Sequence, residues 1–109
     1  MNKIPEANVR ATVYEVCCLP VEWQSRRHFT VTVEHRGEDR WAVLADGFCF
    51  DADRQRCYEG LSSNRSPDFL RRYRFTLEDA LALAKRIAPT LKVGRYTVAD
   101  ALVNGPEWL

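Results

Sequence analysis

The sequence predicts an α+β fold, in which an antiparallel sheet of three to four strands packs against one main C-terminal helix, with short helical segments in addition. In the first half of the chain apolar residues alternate with polar ones, whereas in the second half they recur at helical spacing. Strands therefore precede helices along the chain, an order that favours α+β over a parallel α/β fold. A length of 109 residues with 46% hydrophobic residues suits one core, so residues 1–109 are expected to form a single domain.

Residues 28–35 give the clearest strand, because β-branched and aromatic residues alternate with polar ones through it. After a turn at residues 36–39, residues 40–50 are predicted to return beside it as a second strand, with a bend or bulge at Gly47. Residues 55–59 would form a short third strand after a turn at residues 51–54. Residues 9–18 also have strand periodicity, and their apolar face switches near Val13, which predicts a bulge there.

The main helix is predicted to begin after Thr76, whose hydroxyl caps it, with Asp79 at the third helical position. Pro89 ends it, since proline cannot continue a helix. One apolar stripe is predicted to face the sheet, and it comprises Leu77, Ala80, Leu81, Ala84, Ile87 and Ala88.

Two shorter helices are indicated by their capping residues. Ser66 precedes a proline and an acid, a pattern typical of a helix start, and that helix would run to about Arg72. Thr97 and Asp100 form a capping box that opens a terminal helix ending near Gly105.

Charge and hydropathy exclude two classes of partner for the molecule as a whole. Sixteen basic and fifteen acidic residues give a net charge of +1, so no global field attracts nucleic acid or anionic lipid. The longest apolar run is far shorter than the roughly 20 residues that cross a bilayer, and the first ten residues lack a signal-peptide pattern. We therefore expect a cytoplasmic protein without a membrane partner.

A local basic and aromatic patch is the main indication of nucleic-acid binding. Cations alternate with rings there, as backbone tracking and base stacking require. The patch comprises Arg71, Arg72, Tyr73 and Arg74, with Arg26 and Arg27 as a second cluster. The favoured alternative is structural: the aromatic residues dock this segment onto the core, and the arginines point outward or pair with nearby acids such as Asp68.

The four cysteines do not have zinc-site spacing, so no metal and no cofactor is expected. Cys49 and Cys57 would face each other across a hairpin, either as a disulfide or, as a reducing compartment favours, as two thiols. A cysteine paired with His28 or His35 would be needed for nucleophilic catalysis, and no local motif supports it. The sequence thus predicts no catalytic residues and no enzymatic activity.

The leading functional hypothesis is a small non-enzymatic binding or regulatory module that acts through protein–protein contact, including contact with another copy of itself. Trp23 and Trp108 are candidate interface residues, because an aromatic side chain in a loop or at a terminus often anchors an interface. Both could equally cover the sheet, while Trp41 is predicted to lie in the core.

Three segments carry a resemblance that spans residues 41–103, and they are Trp41–Val43, Phe69–Phe75 and Tyr96–Asp100. They resemble short uncharacterised proteins of high-GC actinobacteria and their phages. The resemblance implies a bacterial or phage cytoplasmic origin and assigns neither an activity nor any site residues.

Overall fold

The computed structural model of the chain describes residues 3–59 and 65–109. Its main sheet has five strands: β1 (Val13–Cys17), β2 (Thr30–His35), β3 (Trp41–Ala45), β4 (Phe48–Phe50) and β5 (Arg56–Tyr58). The helices are α1 (Pro67–Tyr73), α2 (Leu77–Ile87) and α3 (Val98–Asn104). A second, two-stranded sheet comprises β6 (Lys92–Val93) and β7 (Tyr96–Thr97).

Each strand of the main sheet pairs antiparallel with the next strand of the chain, in the order β1-β2-β3-β4-β5. The predicted antiparallel α+β class is confirmed, whereas the predicted three to four strands are wrong, since the sheet has five. The difference lies in residues 40–50, which form two strands instead of one. Asp46 and Gly47 have left-handed φ angles of 56° and 82°, so the chain reverses at a tight two-residue turn, with Ala45 directly opposite Phe48.

The main core lies between the sheet and α2. Thr76 accepts a hydrogen bond from the Asp79 amide, so the predicted cap of this helix is confirmed. The buried side chains of this core come from β2, β3, β4 and the helix, and they include Val31, Val33, Trp41, Val43, Phe50, Leu83, Ala84 and Ile87. The two layers of the predicted core therefore meet as expected.

The first strand is shorter than predicted. It begins at Val13 instead of residue 9, and its register with β2 runs from Val13 opposite Glu34 to Cys17 opposite Thr30 without a skipped residue. The predicted bulge near Val13 is therefore wrong. Similarly, His28 belongs to a 3₁₀ turn (Gln24–His28) that precedes β2, and not to the strand itself.

A second apolar cluster joins the segment before β2 to the C-terminal helix. Its buried members are Leu19, Phe29, Val98 and Ala101. The predicted capping box is confirmed, since Thr97 accepts from the Asp100 amide and the Asp100 carboxylate accepts from the Thr97 amide. The predicted Ser66 cap of α1 is confirmed as well.

In the described ranges 3–59 and 65–109, no helix combines the length and the apolar character that crossing a membrane requires.

Candidate binding cleft

A cleft lies where the Asp46–Gly47 turn, the β4–β5 hairpin and the C-terminal end of α2 meet. Its volume of about 430 Å³ falls within the range typical of ligand sites. Buried or half-buried apolar side chains form its floor, and they are Ala45, Phe50, Ile87 and Leu91. Ala45, Phe50 and Ile87 are each at most 8% exposed, so the half-buried Leu91 offers most of the apolar surface that a bound group can cover.

Three exposed cations, Arg54, Arg56 and Lys92, line the rim of this cleft. Within residues 3–59 and 65–109, no carboxylate oxygen lies within 4.0 Å of a side-chain nitrogen of any of the three. Asp46 is the one carboxylate among the described lining residues. The rim therefore carries net positive charge that is not neutralised by ion pairs, although the whole chain is close to neutral.

The turn before β5 places Arg54 and Arg56 at the rim. Asp51 is only 3% exposed, and its Oδ1 accepts hydrogen bonds from the amides of Asp53 and Gln55 at 2.9 and 2.8 Å. Its Oδ2 accepts from Arg72 Nε at 2.7 Å. A buried carboxylate with these partners holds the turn, so Asp51 positions the cleft's cations without lining the cleft.

The pKa of Asp51 reflects two opposing effects. Burial alone would raise it, but the hydrogen bonds from the Gln55 amide, Arg72 and the Asp53 amide stabilise the ionised form and together lower the pKa below its ordinary value. The carboxylate is therefore ionised at neutral pH, as its role in the turn requires.

The predicted nucleic-acid residues of the Arg71–Arg74 stretch are engaged in contacts within the chain. Arg71 pairs with Asp68, as the structural alternative proposed, and Arg72 pairs with Asp51. The side chain of Arg74 is only 4% exposed and pairs with Glu59. Tyr73 is buried and stacks on Phe69 with ring centroids 4.8 Å apart. A phosphate at this stretch would have to compete with three carboxylates.

Glu59 is the centre of an ion cluster. Its carboxylate lies 3.0 Å from Arg36 and 3.7 Å from Arg65, in addition to its contact with Arg74. Burial would raise the pKa of Glu59, but the hydrogen bond and charge of Arg36, together with the charges of Arg74 and Arg65, lower it. Burial also lowers the pKa of Arg74.

The second predicted basic cluster is divided between two roles. Arg26 donates to the Leu19 carbonyl at 2.6 Å and lies 3.7 Å from Glu15, so it is tied to the chain. Arg27 is exposed and lines a small cavity of about 170 Å³ that shares Asp46, Leu91 and Lys92 with the cleft. Arg27 therefore extends the positive rim.

Both predicted interface tryptophans pack against the second apolar cluster and are half-buried. The Trp108 ring meets Tyr96 edge to face, with centroids 5.0 Å apart. Contacts within the chain thus cover part of both side chains, and their role at an interface stays a prediction. Trp41 lies in the core, as predicted.

Cys49 and Cys57 stand directly opposite each other on β4 and β5, as the predicted hairpin requires, and both are free thiols. The Cys49 thiol donates to the Cys57 carbonyl at 3.2 Å, and burial, with a smaller contribution from Glu59, raises its pKa to about 11. His35 contacts the Glu38 carbonyl and the Trp41 ring. In the parts of the chain that the structure describes, no three metal-ligating side chains come together.

The cleft was not predicted from the sequence. Arg54, Arg56 and Lys92 are not among the candidate site residues that the sequence predicts. A search of known proteins found no family model that matches the chain, and no significantly similar curated protein or solved structure.

Proposed function

We propose that the protein is a non-enzymatic binding module whose cleft accepts an acidic segment of a protein partner. The observation that carries this proposal is a set of three cations that form no ion pair with any described carboxylate and that surround an apolar floor. Carboxylates of the partner would neutralise Arg54, Arg56 and Lys92, while its aliphatic side chains would cover Leu91 and its neighbours.

A protein partner fits the cleft better than a nucleic acid does. Binding of single strands relies on exposed aromatic faces for base stacking, and Phe50, the aromatic residue of the lining, is only 7% exposed. Phe48, beside the cleft, has one face under the Arg56 guanidinium at 5.2 Å. The exposed part of the floor at Leu91 and the cationic rim instead match a segment that mixes aliphatic and acidic residues.

The lining also supports binding over catalysis. Its polar side chains are three cations, Asp46 and Thr90, and the described lining contains neither a histidine nor a cysteine. Histidine is the side chain that general acid–base catalysis uses most often, and a lysine or threonine becomes a nucleophile only where a neighbouring base or a lowered pKa activates it. Asp46 is exposed at the turn between β3 and β4.

Fluorescence anisotropy with a labelled peptide that alternates Glu and Leu tests the proposal. We expect binding that weakens with salt, and a dissociation constant raised at least tenfold, about 1.4 kcal/mol, by R54E combined with K92E. K85E with R86E, which reverses two exposed cations of α2 outside the cleft, is the matched control and should leave binding within about twofold.

Two results would overturn this proposal. The first is equal binding of a peptide in which Lys replaces Glu, since charge would then play no part. The second is the absence of peptide binding together with tight, salt-sensitive binding of a single-stranded oligothymidine that R54E and K92E abolish, which would make the cleft a nucleic-acid site.

A further inference from the structure

An acidic surface lies at the end of the molecule opposite the cleft. It forms where the β2–β3 turn meets the N-terminal end of α2, and it is a shallow groove of about 610 Å³. We call it the acidic groove, and its lining residues are Asp39, Thr76, Leu77, Glu78 and Leu81.

The carboxylates of this groove, like the cations of the cleft, form no ion pair with any described residue. Asp39 and Glu78 are exposed, and among the described residues no cation lies within 4.0 Å of either. Arg40 follows Asp39 in the chain but does not line the groove. Leu77 and Leu81 are half-buried and leave aliphatic surface between the acids.

The groove and the cleft lie at opposite ends of the same two elements. The helix α2 runs from Leu77 at the groove to Ile87 at the cleft, about 16 Å for its 11 residues. The strand β3 runs between the same two ends, from the turn that contains Asp39 to the turn that contains Asp46. One end is therefore acidic and aliphatic, and the other is basic and aliphatic.

We propose that the cleft of one copy receives the acidic groove of a second copy, so that the chain associates with itself head to tail. This inference rests on the proposed function, because it names the acidic partner that the cleft accepts. The Asp39 turn and the first turn of α2 would bring Asp39 and Glu78 to Arg54, Arg56 and Lys92. Leu77 and Leu81 would meet the floor at Leu91.

The contact joins two different surfaces, so each copy retains one unused cleft and one unused groove. Such a heterologous contact continues into a ring when its rotation closes and into an open chain when it does not. A net charge of +1 leaves little overall repulsion between copies, which favours association at low salt.

Sedimentation velocity of the full chain at 20 mM and 500 mM salt tests this inference. At low salt we expect the average mass to rise with protein concentration above that of the monomer, and at high salt we expect association to weaken at least tenfold. Two variants each disable one surface: R54E with K92E in the cleft, and D39K with E78K in the groove. Each alone should be monomeric.

Mixing the two variants is the decisive step, because the intact cleft of one then meets the intact groove of the other. We expect the mixture to associate again. Two control variants reproduce these changes in net charge at exposed residues outside both surfaces: K85E with R86E, and E22K with E107K. Each should associate like the natural chain. Circular dichroism shows whether each variant is folded. If a charge-reversed variant is unfolded, the milder variants R54Q with K92Q and D39N with E78Q take the place of the two charge-reversed ones.

Three results would overturn the inference: a natural chain that stays monomeric at low salt, association that persists in either variant, or a mixture that remains monomeric. The variant D39K with E78K keeps an intact cleft. Its binding of the Glu–Leu peptide therefore tests the proposed function separately from self-association. Peptide binding by a chain that never associates would leave the cleft as a site for an acidic partner other than a second copy. Absence of both would overturn both proposals.

Discussion

Two sets of cations on this molecule differ in what surrounds them. Arg72 donates to the carboxylate of Asp51 and Arg74 to that of Glu59, and the side chain of Arg74 is almost fully buried. The cleft cations, by contrast, are exposed and lie outside ion-pairing distance of every described carboxylate. The comparison teaches that the position of the carboxylates, and not the local density of arginines, decides which cations are available to a partner.

The β4–β5 hairpin is the physical cause of this difference. It returns Asp51 and Glu59 to the helical segment that follows, although they precede Arg72 and Arg74 by 21 and 15 positions. The same hairpin turns Arg54 and Arg56 toward the opposite side, where Ile87 and Leu91 leave a cleft. One short structure thus neutralises one set of cations and exposes the other.

The largest effect should follow the loss of a buried cation. Arg74→Ala leaves the Glu59 carboxylate buried with Arg36 and Arg65 as its remaining partners, and we expect the free energy of unfolding to fall by about 3 kcal/mol. Urea denaturation measures the change. Arg71→Ala, in an exposed pair with Asp68, is the control and should change it by less than about 0.5 kcal/mol. Equal effects of the two variants would show that burial of the Arg74–Glu59 pair does not determine its contribution to stability.

A smaller effect is expected at Asp51. In Asp51→Asn one side-chain oxygen can still accept from the turn amides, but the amide nitrogen meets Arg72 Nε, a donor facing a donor. Loss of this charged hydrogen bond should lower the free energy of unfolding by about 2 kcal/mol. Asp53→Asn, at the exposed neighbouring carboxylate, should lie within about 0.5 kcal/mol of the natural chain. A difference of under 0.5 kcal/mol between the variants would mean that the turn does not depend on Asp51.

Much of the fold follows from local patterns in the sequence. The caps at Ser66, Thr76 and Thr97 depend on a side chain and an amide three residues later, so the sequence alone predicts them. The opposition of Cys49 and Cys57 follows similarly from a short turn between two strands. The structure confirms these features, and the sequence could predict them because few residues determine each one.

The Asp46–Gly47 turn shows where two local patterns compete. Both faces of residues 41–45 are apolar, which favoured a long central strand with a bend at Gly47. An Asp-Gly pair between apolar segments is nevertheless a strong hairpin signal, because both residues tolerate left-handed φ angles. In the folded chain the Asp-Gly turn outweighs the apolar pattern, and it forms one wall of the cleft.

The orientation of α2 could not be predicted from its own residues. Leu83 lies outside the predicted stripe but is only 1% exposed, whereas Leu77 and Leu81 are half-buried. At about 100° per residue, the buried face is turned toward Leu83 and away from Leu77. Packing against the sheet sets this rotation, and it leaves Leu77 and Leu81 at the acidic groove.

Acid should remove the stabilisation that the Asp51 and Glu59 carboxylates give to their paired arginines. Asp51 and Glu59 have pKa values below their ordinary values of 3.8 and 4.5, so their contribution to stability is fully present above those values. It is lost as the pH falls below them through the lower values of the folded state. We expect the free energy of unfolding to drop as the pH falls below 4.5 and then below 3.8, and to drop less in Asp51→Asn. Parallel pH profiles of the two proteins in urea titrations would show that Asp51 is not linked to the loss.

The smallest effect on stability is expected at the cleft, where Lys92→Ala removes an exposed cation that is outside ion-pairing distance of any described carboxylate. The free energy of unfolding should stay within about 0.5 kcal/mol of the natural value, because the folded chain loses no described contact of that charge. The affinity for the Glu–Leu peptide should nevertheless fall about threefold, since that charge acts only when a partner supplies a carboxylate. Urea denaturation and anisotropy on the same preparation measure both quantities. A loss of stability without a loss of affinity would place Lys92 with the neutralised cations, and the two sets would no longer differ in function.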